Sequence, residues 1–459
     1  MFDRLISRFN HDYVHSVISG YVLVFAHAAS SFLLIPMYLK CLGLHGFGVF
    51  MLLYSFINYS NFGISFVSGG LLRIFSEGFS ARDDGLLANA YAVSKLVYVI
   101  YSLAACLALV IYVLAVKSPG FLFAPGEAFS AGRAALIILS ASAFIVARYV
   151  INVEYQILTA NKKQFLSNIF QILVQVLYIG LAVLSAVKGG GIAGLMLANF
   201  LSVALVRLMI FLYRRRRRDY AAAPISGREM KAIIKRLLGT MGLGYLIYGA
   251  LIATLCSDVF ILGTAAGEKA AEAVANFTVT WKAAELGLLL IWKIPESLLP
   301  YIMRLDARKQ YDRLAAIYRL IDRLVIALSL LAALGFAFLG KPLIYFWLNL
   351  AGNAQIPVIG DWQIWLAAGA VFWMSIARLP SIFAYSTLRL KPLNIIIGLE
   401  VGFKILFIAL TFGVLQELAP VAAINAVHLA GIAVAYRFLG RKTVTPPVEP
   451  GLVTAGIRD

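Results

Sequence analysis

Residues 277–303 read FTVTWKAAELGLLLIWKIPESLLPYIM. The run is long and apolar enough to cross a bilayer as one helix, which takes ~20 residues. It nevertheless carries Lys282, Glu285, Lys293 and Glu296. At 100° per residue, positions 282, 285, 289, 293 and 296 fall within roughly an 80° arc of one helix face. A charge at a helix centre costs ~2.5–3.5 kcal/mol on insertion scales, so four turned to lipid would cost about 10 kcal/mol. That face must meet water, protein or a polar ligand. Such a helix belongs in a bundle of membrane helices with a polar interior.

The rest of the chain agrees. Its 459 residues are 61% hydrophobic and 14% charged, where a soluble domain carries about 25% charge; mean hydropathy is +0.87. Spans are predicted near 14–38, 44–68, 88–116, 133–158, 165–187, 189–213, 237–264, 273–301, 320–348, 361–388, 393–415 and 420–438. Apolar runs of this length do not fit the ~10-residue alternating strands of an outer-membrane barrel. The expected fold class is all-α, a polytopic membrane protein of twelve helices.

Net charge is +18, and it is unevenly placed. One set of span ends holds 27 Lys/Arg, among them Arg73, Lys162, Lys163, Arg214–Arg218, Arg304, Arg389 and Arg441. The opposite loops hold six: Lys40, Lys117, Arg133, Lys188, Lys269 and Lys341. By the positive-inside rule both termini are cytoplasmic. The basic balance marks a membrane side and anionic lipid headgroups, not a nucleic-acid partner. Cys41, Cys106 and Cys256 are scattered, which gives neither a disulfide framework nor a metal site. No cleavable signal peptide is expected.

Several chemistries lack their motifs. There is no G-x-x-x-x-G-K-[ST], so no ATP site of that kind, no H-E-x-x-H and no G-x-S-x-G. The external loops are short, the longest being about 117–132, which disfavours a membrane enzyme that builds its site there. No cofactor is implied.

The halves repeat. SARDDGLLANAY after span two aligns with DARKQYDRLAAIY after span eight, placing Tyr91 on Tyr318, and LTANKKQF after span four parallels TLRLKPL after span ten. Asn199 falls on Asn425. The expected layout is a first six-helix lobe at 1–218, a basic linker at 219–236, a second lobe at 237–439 and a flexible tail at 440–459. Parallel repeats put a site near the midplane, between the halves.

Residues 33–77 carry Pro36 late in span one, then Leu42-Gly43, Gly46-Phe47-Gly48 and, after span two, Arg73. This pattern resembles the polysaccharide-export branch of the multidrug/oligosaccharidyl-lipid/polysaccharide exporter superfamily, the Wzx-type lipid-linked oligosaccharide flippases. The family's Asp-Leu-Gly is here Asn61-Phe62-Gly63, a departure, while Asp258 and Gly263 stand where the family often has Asp and a Leu-Gly pair. The resemblance implies two six-helix lobes around a central cavity formed by helices one, two, seven and eight. It implies a non-enzymatic flippase of the bacterial inner membrane, moving undecaprenyl-diphosphate-linked oligosaccharide for O-antigen or exopolysaccharide. Membrane lipid, a proton or sodium ion, and a glycan polymerase with other assembly proteins are the partners implied. A multidrug or small-solute antiporter of the same superfamily and a membrane glycan polymerase or ligase stay open as alternatives.

The candidate residues follow. Lys282 and Lys293 suit an anionic diphosphate; the competing reading is internal pairing with Glu285 and Glu296 at i,i+3. Trp281 and Trp292 flank the charged arc and stack on sugar or pack. Asn58 and Asn61 give span two a neutral polar face. His27, Arg148 and Arg378 are intramembrane polar groups that default to a functional role or to bonds within the bundle. Asp258 either holds the coupling ion or balances a lysine of span eight. Glu400 and Lys404 form a structural i,i+4 pair.

Overall fold

In the computed structural model, the described residues are 11–123, 127–161, 163–217, 230–235, 249, 257–265, 267–298, 302, 305–306, 308–350, 359–387 and 389–445. The expected linker at 219–236, apart from 230–235, and the tail beyond 445 lie outside them. The fold is all-helical. His11–Ala81 is broken at Gly43, where φ is 69°. Only a residue without Cβ adopts that conformation without cost. The break separates α1 (11–42) from α2 (44–81).

There follow α3 (Asp84–Ile111), α4 (Ala131–Ala160), α5 (Gln164–Val187) and α6 (Gly191–Arg217). Asp83 caps α3 by accepting from the Leu86 amide at 2.8 Å, and Ser130 caps α4 through the Arg133 amide. The second lobe holds α7 (Asp258–Ala265), α8 (Ala270–Ser297), α9 (Tyr311–Asn349), α10 (Asp361–Ser386) and α11 (Leu390–Leu415). Its last helix, α12 (419–443), contains a π turn at His428–Ile432.

Nine described helical stretches are long and apolar enough to cross a membrane. Two of them are continuous across two predicted spans: Leu390–Thr443 contains both of its spans, and Ile18–Asn58 covers most of the first span and part of the second. The seventh predicted span is described mainly over Asp258–Ala265. Large side chains point outward along the helices, such as Leu107, Phe338 and Leu410, which suits lipid and not water. The chain is a multi-pass membrane protein, and its described residues form twelve helices in two six-helix lobes.

The repeat is visible in the packing. Tyr91 of α3 donates to Glu154 of α4 at 2.7 Å, and Arg214 of α6 pairs with the same carboxylate. In the second lobe Tyr318 of α9 lies against Gly440 of α12, where a Cβ would come within 1.9 Å of its hydroxyl. Arg437 of α12 holds Asp322 of α9 at 2.8 Å. Both lobes thus fasten their third helix to their sixth at the basic-loop end. Glu154 is buried, and removing its charge leaves Arg214 inside the lobe without its counter-ion. Breaking one side of a buried pair costs ~3–5 kcal/mol. Glu154→Gln is expected to lower the thermal unfolding midpoint in detergent by many degrees, and Arg214→Met to lower it as far.

The lobes meet at the ends away from the basic loops. A Cβ on Gly48 of α2 would lie 1.7 Å from the Ala271 carbonyl oxygen of α8. Phe260 of α7 packs on Phe56 and Tyr112 of the first lobe. A third contact follows from a proline. Pro36 lies inside α1 and has no N–H, so the carbonyl four residues back, on Phe32, loses its helical donor. Trp347 of α9 donates its indole N–H to that carbonyl at 2.5 Å and stacks on the Phe32 ring at 4.8 Å.

Candidate functional site

Between the joined ends and the basic loops lies a cavity of about 300 Å³. Four helices line it. α1 contributes His27, Ser30, Ser31 and Tyr38; α2 contributes Tyr54 and Asn58; α5 contributes Gln175 and Tyr178; α8 contributes Lys282 and Glu285. At 1.5 Å per residue, His27, Asn58 and Lys282 all sit about 20 Å below the joined ends of their helices. They share one depth near the middle of the span.

The polar groups come in connected pairs. Lys282 Nζ contacts Glu285 Oε2 at 2.5 Å, the i,i+3 pairing expected from spacing. Arg148 of α4 donates to Asn58 Oδ1 at 2.9 Å and lies over the Phe144 ring. Its guanidinium is thereby brought against the cavity wall from behind α2. The hydroxyls of Tyr38 and Tyr178 hydrogen-bond to each other. The remaining wall is apolar, with Leu34, Phe50, Met51, Leu286 and Leu289. Two cations and one carboxylate therefore serve a chamber rich in hydroxyl and amide groups.

The other half of the α8 stripe is a separate cluster. Glu296 binds Arg378 of α10 at 2.6 Å and Lys293 at 3.8 Å. The Arg378 guanidinium lies 5.0 Å from the Trp292 ring. Pro295 lies between Lys293 and Glu296 and has no N–H, so the Ile291 carbonyl four residues back loses its helical donor. The Lys293 side chain reaches toward α1, where a Cβ on Gly20 would be 3.8 Å from its Nζ. Beside it Asn168 of α5 donates to the Ser19 hydroxyl at 2.8 Å. This cluster bridges the lobes nearer the basic loops.

The fold is that of the MATE transporters. Among solved structures, the chain is similar to the inward-facing conformation of a multidrug resistance MATE family transporter of the MOP superfamily. Identity is 18% and the TM-score 0.70, over 92% of this chain and 94% of that one. The outward-facing conformation of such a transporter matches with 17% identity and TM-score 0.64, over 94% and 95%. The MATE multidrug transporter DinF-BH matches with 13% identity and TM-score 0.65, over 94% and 95%. No family model and no curated protein matches the chain.

Within this MATE-like architecture the expected residues divide. His27, Asn58, Lys282 and Glu285 meet at the cavity, with Arg148 behind Asn58. Lys293, Glu296, Arg378 and Trp292 do not line it. Trp281 stacks on Phe277 at 6.0 Å and faces a recess with Gln363 and Glu417. Asn61 lies in 59–70, whose side chains are outside the described set. Two expectations are corrected. Asp258 balances a lysine, but the partner is Lys404 of α11 and not one of α8. Glu400, expected to pair with Lys404 one turn on, meets His428 Nε2 at 3.2 Å and accepts from the Tyr436 hydroxyl at 2.6 Å, both of α12.

The sequence reading passed over Tyr38, Tyr54, Tyr178 and Gln175. A signal existed. His27, Ser31 and Tyr38, with Leu34 between them, recur at i, i+4, i+7 and i+11 of α1, which is one helix face. The fifth helix had no charge to draw notice, and its contribution depends on packing across more than 100 residues of chain.

Proposed function

We propose that the chain flips undecaprenyl-diphosphate-linked oligosaccharide across the bacterial inner membrane by alternating access, with both termini cytoplasmic. The observation that carries this reading is the makeup of the cavity. Arg148 and Lys282 offer positive charge from opposite lobes to a diphosphate. Ser30, Ser31, Tyr38, Asn58, Gln175 and Tyr178 offer the mixed donors and acceptors that sugar hydroxyls need. The size falls at the low end of small-ligand sites, ~300–1,000 Å³, and suits a headgroup held in part while the polyprenyl tail stays in lipid. Motion of one lobe against the other would expose this chamber to each side in turn. The absence of an ATP motif leaves an ion gradient, or consumption by a glycan polymerase, as the source of direction.

A second reading, a multidrug antiporter, draws on the fold shared with multidrug transporters and on the apolar wall formed by Phe50, Met51 and Leu286. Its weakness is electrostatic. A cationic drug needs net negative charge, whereas the Lys282–Glu285 pair is neutral as a whole and Arg148 behind Asn58 leaves the chamber net positive.

One assay separates them. Full-length protein is placed in liposomes with labelled undecaprenyl-diphosphate glycan, and transfer between leaflets is followed alongside efflux of a cationic dye. Protein-dependent glycan transfer without dye efflux is expected. Dye efflux with no glycan transfer would favour the antiporter and end the flippase reading.

A further inference from the structure

On the outer side of the first lobe, toward the basic loops, three cations gather around one ring. The ammonium of Lys95 on α3 lies 4.0 Å from the centre of the Tyr91 ring. The Arg214 guanidinium of α6 lies 4.6 Å from it. Arg207, two turns before Arg214 on α6, is exposed. Lys95 interacts electrostatically with both arginines and with Glu154. We propose that this corner between α3 and α6 binds the phosphate of an anionic phospholipid. The site requires only that the chain lies in a membrane, and it does not depend on which substrate is moved.

The charge of the corner does not close within the protein. Glu154 of α4 is buried behind it. One of its oxygens accepts from the Tyr91 hydroxyl, and the other pairs with Arg214. Lys95 and Arg207 form no ion pair among the described residues. Three cations against one carboxylate leave two positive charges in excess. Arg207 stands seven residues before Arg214, about 10 Å deeper along the axis. Its neighbours Leu208 and Phe211 are exposed apolar side chains, so this surface borders acyl chains. An arginine there is costly unless its head reaches an anion at the interface. Lys95 is half-buried. Its ammonium is turned back along α3 over Tyr91, toward the basic-loop end and the headgroup layer.

The second lobe builds the same corner without these cations. The repeat that places Tyr91 on Tyr318 puts Asp322 where Lys95 stands, and Asp322 holds Arg437 of α12 at 2.8 Å. Asn199 on Asn425 puts Ala433, followed by Val434, where Arg207 stands. The junction of third and sixth helix is thus fastened by an internal acid–base pair in one lobe. In the other it is left short of anions.

A lipid phosphate fits what is missing. Soluble anions do not enter a surface bordered by acyl chains, whereas a phosphodiester is held at that depth by its own tails. Arg207 supplies a planar fork of donors for phosphate oxygens, and Lys95 supplies a point charge. Basic pockets between membrane helices take anionic headgroups in this way. Tyr91, fixed through its hydroxyl on Glu154, holds Lys95 and Arg214 by cation–π contact, so the site is preformed. A zwitterionic phospholipid brings its own ammonium, which the excess positive charge repels. The favoured headgroup therefore has no amine. Neither α3 nor α6 lines the central cavity, so the occupant is a resident lipid and not the cargo.

The test uses full-length protein in phosphatidylcholine nanodiscs with a small fraction of phosphatidylglycerol carrying a photoreactive headgroup. After irradiation the labelled peptides are mapped. Label concentrated at 91–95 of α3 and 207–214 of α6 is expected. Label spread evenly over the basic loops, or absent from both segments, overturns the site. Unlabelled phosphatidylglycerol should displace the probe at roughly 30-fold lower concentration than phosphatidylethanolamine, since each basic group near an anionic headgroup contributes about fivefold. Displacement by undecaprenyl diphosphate at lower concentration than phosphatidylglycerol would assign the corner to cargo and refute the phospholipid. Lys95→Gln combined with Arg207→Gln should bring the two phospholipids within about threefold of each other. Arg319→Gln combined with Arg441→Gln removes the same charge from the second lobe and should leave the preference intact. A preference unchanged in the first pair, or lost equally in the second, overturns the site. Should the first pair fail to fold, labelling and competition in the wild-type chain decide alone.

Discussion

Lys282→Met and Arg148→Met, each expressed and folded, are expected to reduce glycan transfer by roughly 10–100-fold, because each removes a charge-assisted bond worth about 1.5–3 kcal/mol to a buried anion. For Lys282 the loss has a second part. Its ammonium contacts Glu285 at 2.5 Å, so the methionine variant leaves a bare carboxylate facing an anionic substrate. Lys282→Arg keeps the charge and should retain most transfer. Arg148 acts through a bridge, since it donates to Asn58 at 2.9 Å. Asn58→Ala should therefore lower transfer less than Arg148→Met does, while loosening the guanidinium. Lys293→Met should matter least of the three cation variants, because Arg378 still holds Glu296 at 2.6 Å. Full transfer by the Lys282→Met, Arg148→Met double variant would refute the cationic site.

The architecture was legible because its signals are local. Span length, loop charge and the Tyr91/Tyr318 repeat each need only a short window of chain. The pairing of Lys282 with Glu285 was legible for the same reason, being one helical turn on a single face. What could not be read are partners fixed by tertiary packing. Glu296 had an equally spaced lysine at 293, yet the guanidinium of Arg378, 82 positions later, comes closer. Asp258 gave no hint that its cation stands on α11. The four-residue interval between Glu400 and Lys404 suggested a closed local pair, whereas each extends to a different helix. Local spacing shows which side chains share a face; it does not say which neighbouring helix brings the better partner. The proline logic was available but unused: Pro36 announces a free carbonyl at Phe32, and only the fold supplies Trp347 to meet it.

Gly48→Val is expected to drive the lobes apart at the ends opposite the basic loops. A Cβ at that position would stand 1.7 Å from the Ala271 carbonyl oxygen and 2.9 Å from its Cα. Both are backbone atoms of α8, so no rotamer change relieves the clash; one helix must shift. Forcing extra carbon into a packed contact costs about 1–3 kcal/mol, and more where backbone must move. That is enough to shift a two-state balance between lobe arrangements by roughly 5–150-fold. Spin labels at Lys40 and Lys269, in a chain with Cys41, Cys106 and Cys256 replaced, would report the separation as a population at longer distance. Gly263 supplies the comparison. Its Cβ would meet the Leu52 side chain at 2.3 Å, the far end of a flexible group, so Gly263→Val should shift the distances less. Under alternating access the Gly48 variant cannot regain the arrangement seen here, and glycan transfer should fall with it, although the cavity residues are untouched. An unchanged distance distribution in folded Gly48→Val protein would mean that the close approach of α2 and α8 does not hold the lobes together.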